Sequence, residues 1–362
     1  MPSAGKTAVF NAVTGGCAEL HSYASKAESD PNLGVVTVPD DRHEWLVELY
    51  KPKKSTLATI ELVDVAGMLP GMGGGESLSP KLIAYLRQVD ALVHVVRAFT
   101  DPSVAHASGS VDPARDAEML ELELILADLC QVERKLEKMD LEIARKKGSE
   151  RAALEKEQDV LAKMKTSLAS EKPLRCLELT EEDSKAVRGY MFLSQKPLLI
   201  VANIDESEIG SQESASSLLA LKRFAGERDI PVITFCATSE MEIAQLPEGE
   251  RGEYLEALGI TEASRDKLVR TAYKLLDLVS FFTVGGDEVK TWTIGSGTVA
   301  RDAAGKVHTD IARGFIRAEV VSFADLKQCG SWPAARDKGL VRLEGKDYLV
   351  KDGDCINFRF AI

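Results

Sequence analysis

Three residues near the start of the chain, Gly5-Lys6-Thr7, have side-chain types that bind phosphate, and they run directly into the helix-like stretch Ala8 to Val13. Backbone N–H groups at a helix N-terminus hold phosphate oxygens, a lysine adds a mobile charge on the outer phosphates, and a threonine hydroxyl ligates a divalent ion. Ala4-Gly5-Lys6-Thr7 therefore reads as the second half of a Walker A loop, G-x-x-x-x-G-K-[ST]. The first glycine of that pattern would fall one place before Met1, and the strand that ordinarily precedes the loop is absent. Either the chain begins late or the sheet lacks a strand at the phosphate crevice. Half a motif also describes an ordinary helix start.

Other segments bear on that choice. Ile60-Glu61-Leu62-Val63-Asp64 ends an apolar run on an acid, and Ala66-Gly67 follows, in the order of a Walker B or D-x-x-G element. Asp64 would hold Mg²⁺ through water, and Gly67 would lend its N–H to a γ phosphate. The alternative for Asp64 is a turn acid at a strand end. The glycine-dense stretch Gly71 to Glu76 suits a loop that changes shape with nucleotide state. Leu198 to Ala202 leads into Asn203-Ile204-Asp205-Glu206, the place where N-K-x-D reads a guanine base; Ile204 stands in the lysine position and Glu206 in the aspartate position.

These residues need elements to position them. Leu57 to Val63, Ala91 to Arg97, Pro197 to Asn203 and Pro231 to Cys236 are short apolar runs typical of buried parallel strands, with helical patterns such as Pro80 to Gln88 and Ser216 to Ala225 between them. That alternation predicts a doubly wound α/β domain whose ligand site lies at the strand ends. Between Ala114 and Lys172 the apolar positions Leu122, Ile125, Leu129, Val132, Leu136, Met139 and Ile143 step by three and four, a coiled-coil seam. Lys147-Gly148-Ser149 breaks the run, and Leu154, Leu161, Met164 and Leu168 resume it. Two antiparallel helices with Arg145, Lys146 and Lys147 at the tip are the simplest reading; one solvated helix bending in a bundle is the alternative. From about Val279 the chain turns β-rich, with short strands expected at Val289 to Ile294, Phe315 to Val321, Leu340 to Leu343, Tyr348 to Val350 and Cys355 to Phe360. The expected domains are 1–112 with 173–278, an inserted arm at 113–172, and a small domain at 279–362.

The chain has 362 residues, 45 Lys+Arg against 57 Asp+Glu, and a formal net charge of −12. The length allows two or three domains at roughly 150 residues each. No apolar run approaches the roughly 18 residues of a membrane span, and the six cysteines lie too far apart for zinc or a disulfide framework. A soluble, cytoplasmic protein is expected, with neither membrane nor DNA as partner. The acidity is unevenly placed: residues 113–172 hold 12 basic and 14 acidic groups, residues 279–362 hold 12 and 11, and the remainder holds 21 and 32. The arm and the C-terminal domain are therefore nearly neutral and open to an anionic partner.

Taken together, Gly5-Lys6-Thr7, Asp30 to Val36, Val63 to Met68, His94 to Arg97, Val111 to Ala114, Ala202 to Glu206, Gly305 to Asp310, Gly314 to Ala318 and Lys351 to Asp354 resemble the YchF subfamily of Obg-like P-loop NTPases, known in eukaryotes as Obg-like ATPases. The resemblance covers essentially the whole chain. It implies a G domain, an inserted coiled-coil arm and a C-terminal TGS domain of ubiquitin-like β-grasp type. It further implies slow Mg²⁺-dependent ATP hydrolysis in a molecular switch that associates with the ribosome through RNA or protein; a non-hydrolysing nucleotide sensor and a GTPase are the alternatives. Nucleotide contacts fall on Ser3, Ala4, Gly5, Lys6, Thr7, Ala8, Asn203, Ile204, Glu206 and Ala237, with Ile204 against the base. The N-x-x-E form of the base element implies ATP over GTP: an aspartate pairs with guanine N1–H and its 2-amino group, a longer glutamate misplaces that acceptor, and adenine has neither donor to lose. Met68 replaces the water-orienting glutamine of Ras-type proteins, so the resemblance passes catalysis to His106, with Lys6 and Gly67; a solvated loop histidine is the alternative. Thr7 and Asp64 would hold Mg²⁺. The switch I threonine has no counterpart: Glu28 occupies its position, and Glu28, Ser25 or Ser29 would be the substitute oxygen ligand for the metal.

Overall fold

The computed structural model describes residues 3–16, 31–65, 78–104, 106, 108–209 and 216–361. Glu28, Gly67, Met68 and the loop Gly71 to Gly75 lie outside the described residues. In chain order the elements are α1 (Lys6–Thr14), β1 (Asn32–Thr37), α2 (Asp41–Tyr50), β2 (Lys54–Thr56), β3 (Thr59–Asp64), α3 (Pro80–Gln88), β4 (Leu92–Arg97), α4 (Pro113–Arg145), α5 (Gly148–Ala169), α6 (Glu181–Val187), β5 (Leu198–Asn203) and α7 (Ser216–Gly226). They continue with β6 (Val232–Phe235), α8 (Ala237–Gln245), α9 (Glu248–Ala257), α10 (Ser264–Leu275), β7 (Leu278–Thr283), β8 (Glu288–Gly295), α11 (Ala300–Val307), α12 (Thr309–Arg313), β9 (Phe315–Ser322), α13 (Phe323–Cys329), α14 (Trp332–Asp337), β10 (Arg342–Glu344) and β11 (Asp354–Phe360). Contacts divide the chain into one unit of residues 1–34 and 63–265 and a second of residues 35–62 and 266–362. Residues 35–62, assigned from sequence to the nucleotide-binding domain, group with the second unit.

In the first unit, β4, β5 and β6 form a parallel sheet in that order, with His94 opposite Ile200 and Val201 opposite Ile233. Every residue of β5 is buried, as the unbroken apolar run predicts for a central strand covered on both faces. One face packs Leu92, Val96, Leu198, Ile200 and Ala202 against Leu218 and Leu221 of α7 and Leu124 of α4. Helix starts follow local chemistry: Ser79 caps Leu82 N ahead of Pro80, and Asp112 caps Arg115 N ahead of Pro113.

α4 and α5 form the antiparallel arm. Its seam buries Ile125, Val132, Met139 and Ile143 against Val160, Leu161, Met164 and Leu168. The turn is at Lys146-Lys147, where Gly148 adopts φ +60°. Near its root α4 also buries three acids that the seam pattern does not announce: Asp116, Glu121 and Asp128. Glu121 pairs with Arg175 and with Arg228 at 2.8 Å, and Asp128 accepts from Leu193 N at 2.9 Å and from Ser194 N and Oγ at 2.7 Å.

The second unit holds a six-stranded mixed sheet, β10-β9-β11-β7-β8-β2. The β7–β8 hairpin, the helices α11 and α12, and β11 running parallel beside β7 give the β-grasp arrangement. Leu349 makes only an isolated bridge to Val299, so Tyr348 to Val350 is not a strand; Tyr348 turns its hydroxyl to Asp354 instead. The outermost strand, β2, pairs in parallel with β8, and α2 buries Leu46 with Phe282, Val289, Val321 and Leu326.

Candidate nucleotide-binding site

The candidate phosphate loop ends on Gly5, which caps α1 with φ +83° and no side-chain cap. The first turn of α1 carries no acid of its own, as suits a helix N-terminus that is to receive an anion. A Cβ on Gly5 would collide with Asn203 Nδ2 and approach Phe99 Cε1 to 4.0 Å. Asn203 is the bolt of this corner: its Nδ2 donates to Ala4 O at 3.1 Å, and its Oδ1 accepts from Ala237 N at 3.3 Å. One side chain at the end of β5 thereby ties the loop before α1 to the start of α8.

Thr7 Oγ1 donates to Asp64 Oδ2 at 2.9 Å. The helix start and the end of β3 therefore bring a hydroxyl and a carboxylate together, which is the donor set of a Mg²⁺ site completed by waters and phosphate oxygens. These residues fit the ion. Asn32, at the start of β1, donates to the same Asp64 oxygen at 3.2 Å. Sequence reasoning placed Asn32 only inside a matching stretch; its direct hold on Asp64 needed the structure.

In the stretch Asn203 to Glu206 the two acids separate. Asp205 caps the short helical turn 206–208, and its Oδ2 accepts from Thr100 N at 2.8 Å and Thr100 Oγ1 at 3.0 Å. Its carboxylate is thus committed to the protein, while Glu206 stands exposed. Ile204 is only 3% exposed and packs in the core cluster with Val96, Ala202 and Cys236, so the side chain expected against a base is turned inward.

His106 follows β4 in a loop organised by Arg97. The Arg97 guanidinium, nearly buried, donates to Phe99 O at 3.2 Å, Asp101 O at 2.9 Å and Val104 O at 2.8 Å, and stacks on Phe99. Ser103 hydroxyl and N–H groups hold the exposed Asp101 carboxyl below its ordinary range. His106 itself bonds Asp116 through Nε2 at 2.9 Å and accepts from Ser108 N through Nδ1 at 3.1 Å. Among the described residues, Ser3, Ala4, Gly5, Lys6, Thr7 and Ala8 line one loop and helix start, with Asp64, Asn203 and Ala237 bonded around them.

A family model described as a 50S ribosome-binding GTPase matches residues 1–147, and a YchF GTPase C-terminal model, described as a protein of unknown function, matches residues 278–361. The ribosome-binding ATPase YchF of Bacillus subtilis is 42% identical over 362 residues, covering 100% of this chain and 98% of that protein. The chain belongs to the YchF family. Obg-like ATPase 1 of Caenorhabditis elegans is 36% identical, over 99% of this chain and 90% of that one. The solved YchF GTPase of Schizosaccharomyces pombe aligns with a TM-score of 0.87 at 30% identity, covering 99% and 96% of the two chains. The YchF architecture of P-loop GTPase domain, helical arm and C-terminal domain is the one described above.

Proposed function

We propose that this YchF-family chain is a slow Mg²⁺-dependent ATPase and a ribosome-associated switch. The observation that carries the reading is the pairing of Thr7 with Asp64 beside an uncapped, acid-free helix start. Thr7 would hold Mg²⁺ directly and Asp64 through water, and the ion would offset charge on the β and γ phosphates. Lys6 would sit on those phosphates, Gly67 would contact the γ phosphate, and His106 would accept the proton of the attacking water. Glu206 is the exposed acid of the base element, and the commitment of Asp205 to Thr100 supports the N-x-x-E frame and with it ATP over GTP. The modules carrying these roles are residues 1–34, 63–112 and 173–265 for nucleotide chemistry, 113–172 for reach, and 35–62 with 266–362 for docking. The ribosome-binding names of the relatives support the partner, as do the exposed Arg145, Lys146 and Lys147 at the arm tip.

Turnover of ATP and of GTP with and without Mg²⁺ tests the enzyme. A higher kcat/KM for ATP that vanishes with EDTA is expected, and Glu206→Asp should narrow the gap. Equal or better GTP turnover would defeat the nucleotide assignment, and a lack of turnover with either nucleotide would favour the sensor reading. Co-sedimentation with ribosomes should fall as salt rises.

A further inference from the structure

We infer that Asp116 is a positioning residue for hydrolysis: it fixes His106 in the Nε2–H tautomer and leaves Nδ1 as the acceptor for the proton of water. The inference deepens the proposed function and rests on His106 being the base.

The tautomer follows from hydrogen-bond directions. A backbone N–H only donates, so the bond from Ser108 N to His106 Nδ1, at 3.1 Å, requires a lone pair on Nδ1. A neutral ring then carries its hydrogen on Nε2, where the Asp116 carboxylate accepts it at 2.9 Å. The pair is sheltered, with the His106 side chain 7% exposed and that of Asp116 0%. Asp116 is itself held: Arg115 Nε and Nη2 donate to its other oxygen at 3.2 and 3.0 Å, which balances its charge and stops rotation. The same arginine grips Ser110 through Oγ at 3.0 Å and O at 2.7 Å. Among the described residues, the charged groups of this neighbourhood include Arg97 at the end of β4, Asp101 on the loop, and Asp112, Arg115 and Asp116 at the start of α4.

A base oriented by a buried carboxylate is a recurrent catalytic arrangement. The Ser108 bond spans two residues and is the weaker of the ring's two contacts, so Nδ1 is the nitrogen free to exchange partners when a nucleotide-bound water arrives. Nδ1 then takes the water proton while Nε2–H stays on Asp116. The water oxygen bonds to the γ phosphorus, the bond to the β–γ bridging oxygen breaks with its electron pair leaving on ADP, and the proton passes from Nδ1 to the released phosphate. Because Asp116 lies in the first turn of α4, the helix that positions the base is also the helix that forms the arm.

The test is steady-state ATPase kinetics on wild type, Asp116→Asn, His106→Ala and the double variant. In Asp116→Asn the amide has one acceptor oxygen, which the two Arg115 donors claim, so its NH2 faces a ring nitrogen that must itself donate, and kcat should fall about tenfold or more, with KM for ATP within about twofold. In the His106→Ala background the same change should cost less than about twofold. Asp116→Glu, which keeps the carboxylate, should fall between, and it serves if the asparagine variant does not fold. Nitrogen-15 shifts of the full-length wild type should show Nδ1 unprotonated at neutral pH. A protonated Nδ1, an unchanged kcat in Asp116→Asn beside a reduced one in His106→Ala, or equal losses in both backgrounds would each overturn the inference. An unchanged kcat in His106→Ala would instead remove the base and, with it, the role of Asp116.

Discussion

Gly5 sits where three demands meet: a left-handed backbone, the first turn of a phosphate-binding helix, and contact with Asn203. A side chain there pays about 1–2 kcal/mol for its backbone angle before it touches anything. It then pushes Asn203 off Ala4 and Ala237. Gly5→Ala should weaken nucleotide binding at least tenfold in a fluorescent-nucleotide titration, and an affinity within threefold of wild type would contradict this account of the loop. Two buried histidines set a different sensitivity. His94 faces the β4 core with neither ring nitrogen partnered among the described residues, and His43 bonds Thr291 and Ser55. Burial holds both below the ordinary 6.5, His94 far below. The unfolded chain therefore binds protons that the folded chain refuses, so stability is full above about pH 6.5 and declines as pH drops toward the folded-state values. The urea midpoint should fall between pH 7.5 and 5.5, and His94→Leu should flatten part of that slope. A midpoint constant across the interval would show that neither ring is held neutral.

At the scale of elements, the arm depends on its root as much as on its seam. Asp128 satisfies two backbone N–H groups and a hydroxyl from the segment before β5, and burial pushes its carboxyl above the ordinary range. Asp128→Ala strands those donors, at about 1–3 kcal/mol for each buried group left unpaired. Hydrogen exchange at Leu193 and Ser194 should accelerate at least tenfold; unchanged protection would mean that another acceptor takes over. The seam was legible because apolar residues at three-and-four spacing stand out against a charged background. Asp116, Glu121 and Asp128 were not, since a buried carboxylate on such a helix has the same local sequence signature as a solvated one. What distinguishes them is a partner that only folding brings near, such as Leu193 for Asp128. Lys6, Thr7, Asp64 and Asn203 were legible for the opposite reason: each stands where an apolar run ends or a helix begins, so local pattern alone marks the position. Ile204 misled because position in a motif does not fix the direction of a side chain when an apolar cluster competes for it.

For the whole molecule, the charge partition gives the acidic excess to the nucleotide-binding remainder and leaves the arm and C-terminal residues close to neutral. The second unit is assembled from two distant stretches. A fragment of residues 278–361 would lack β2 and α2, exposing the β8 edge and the pocket of Leu46. Such a fragment should aggregate or unfold at lower urea than one in which residues 35–62 are joined to it by a flexible linker, and equal midpoints would mean that α2 and β2 are dispensable. Synthesis order gives this assembly a further consequence. Thr56 and Glu288, hydrogen-bonded at 3.0 Å, are 232 residues apart, so α2 and β2 leave the translating ribosome long before the strand they join has been made. Over that interval a buried leucine and an open strand edge have no native neighbour, and a nascent chain stalled before β8 would be the form of this protein most in need of a chaperone.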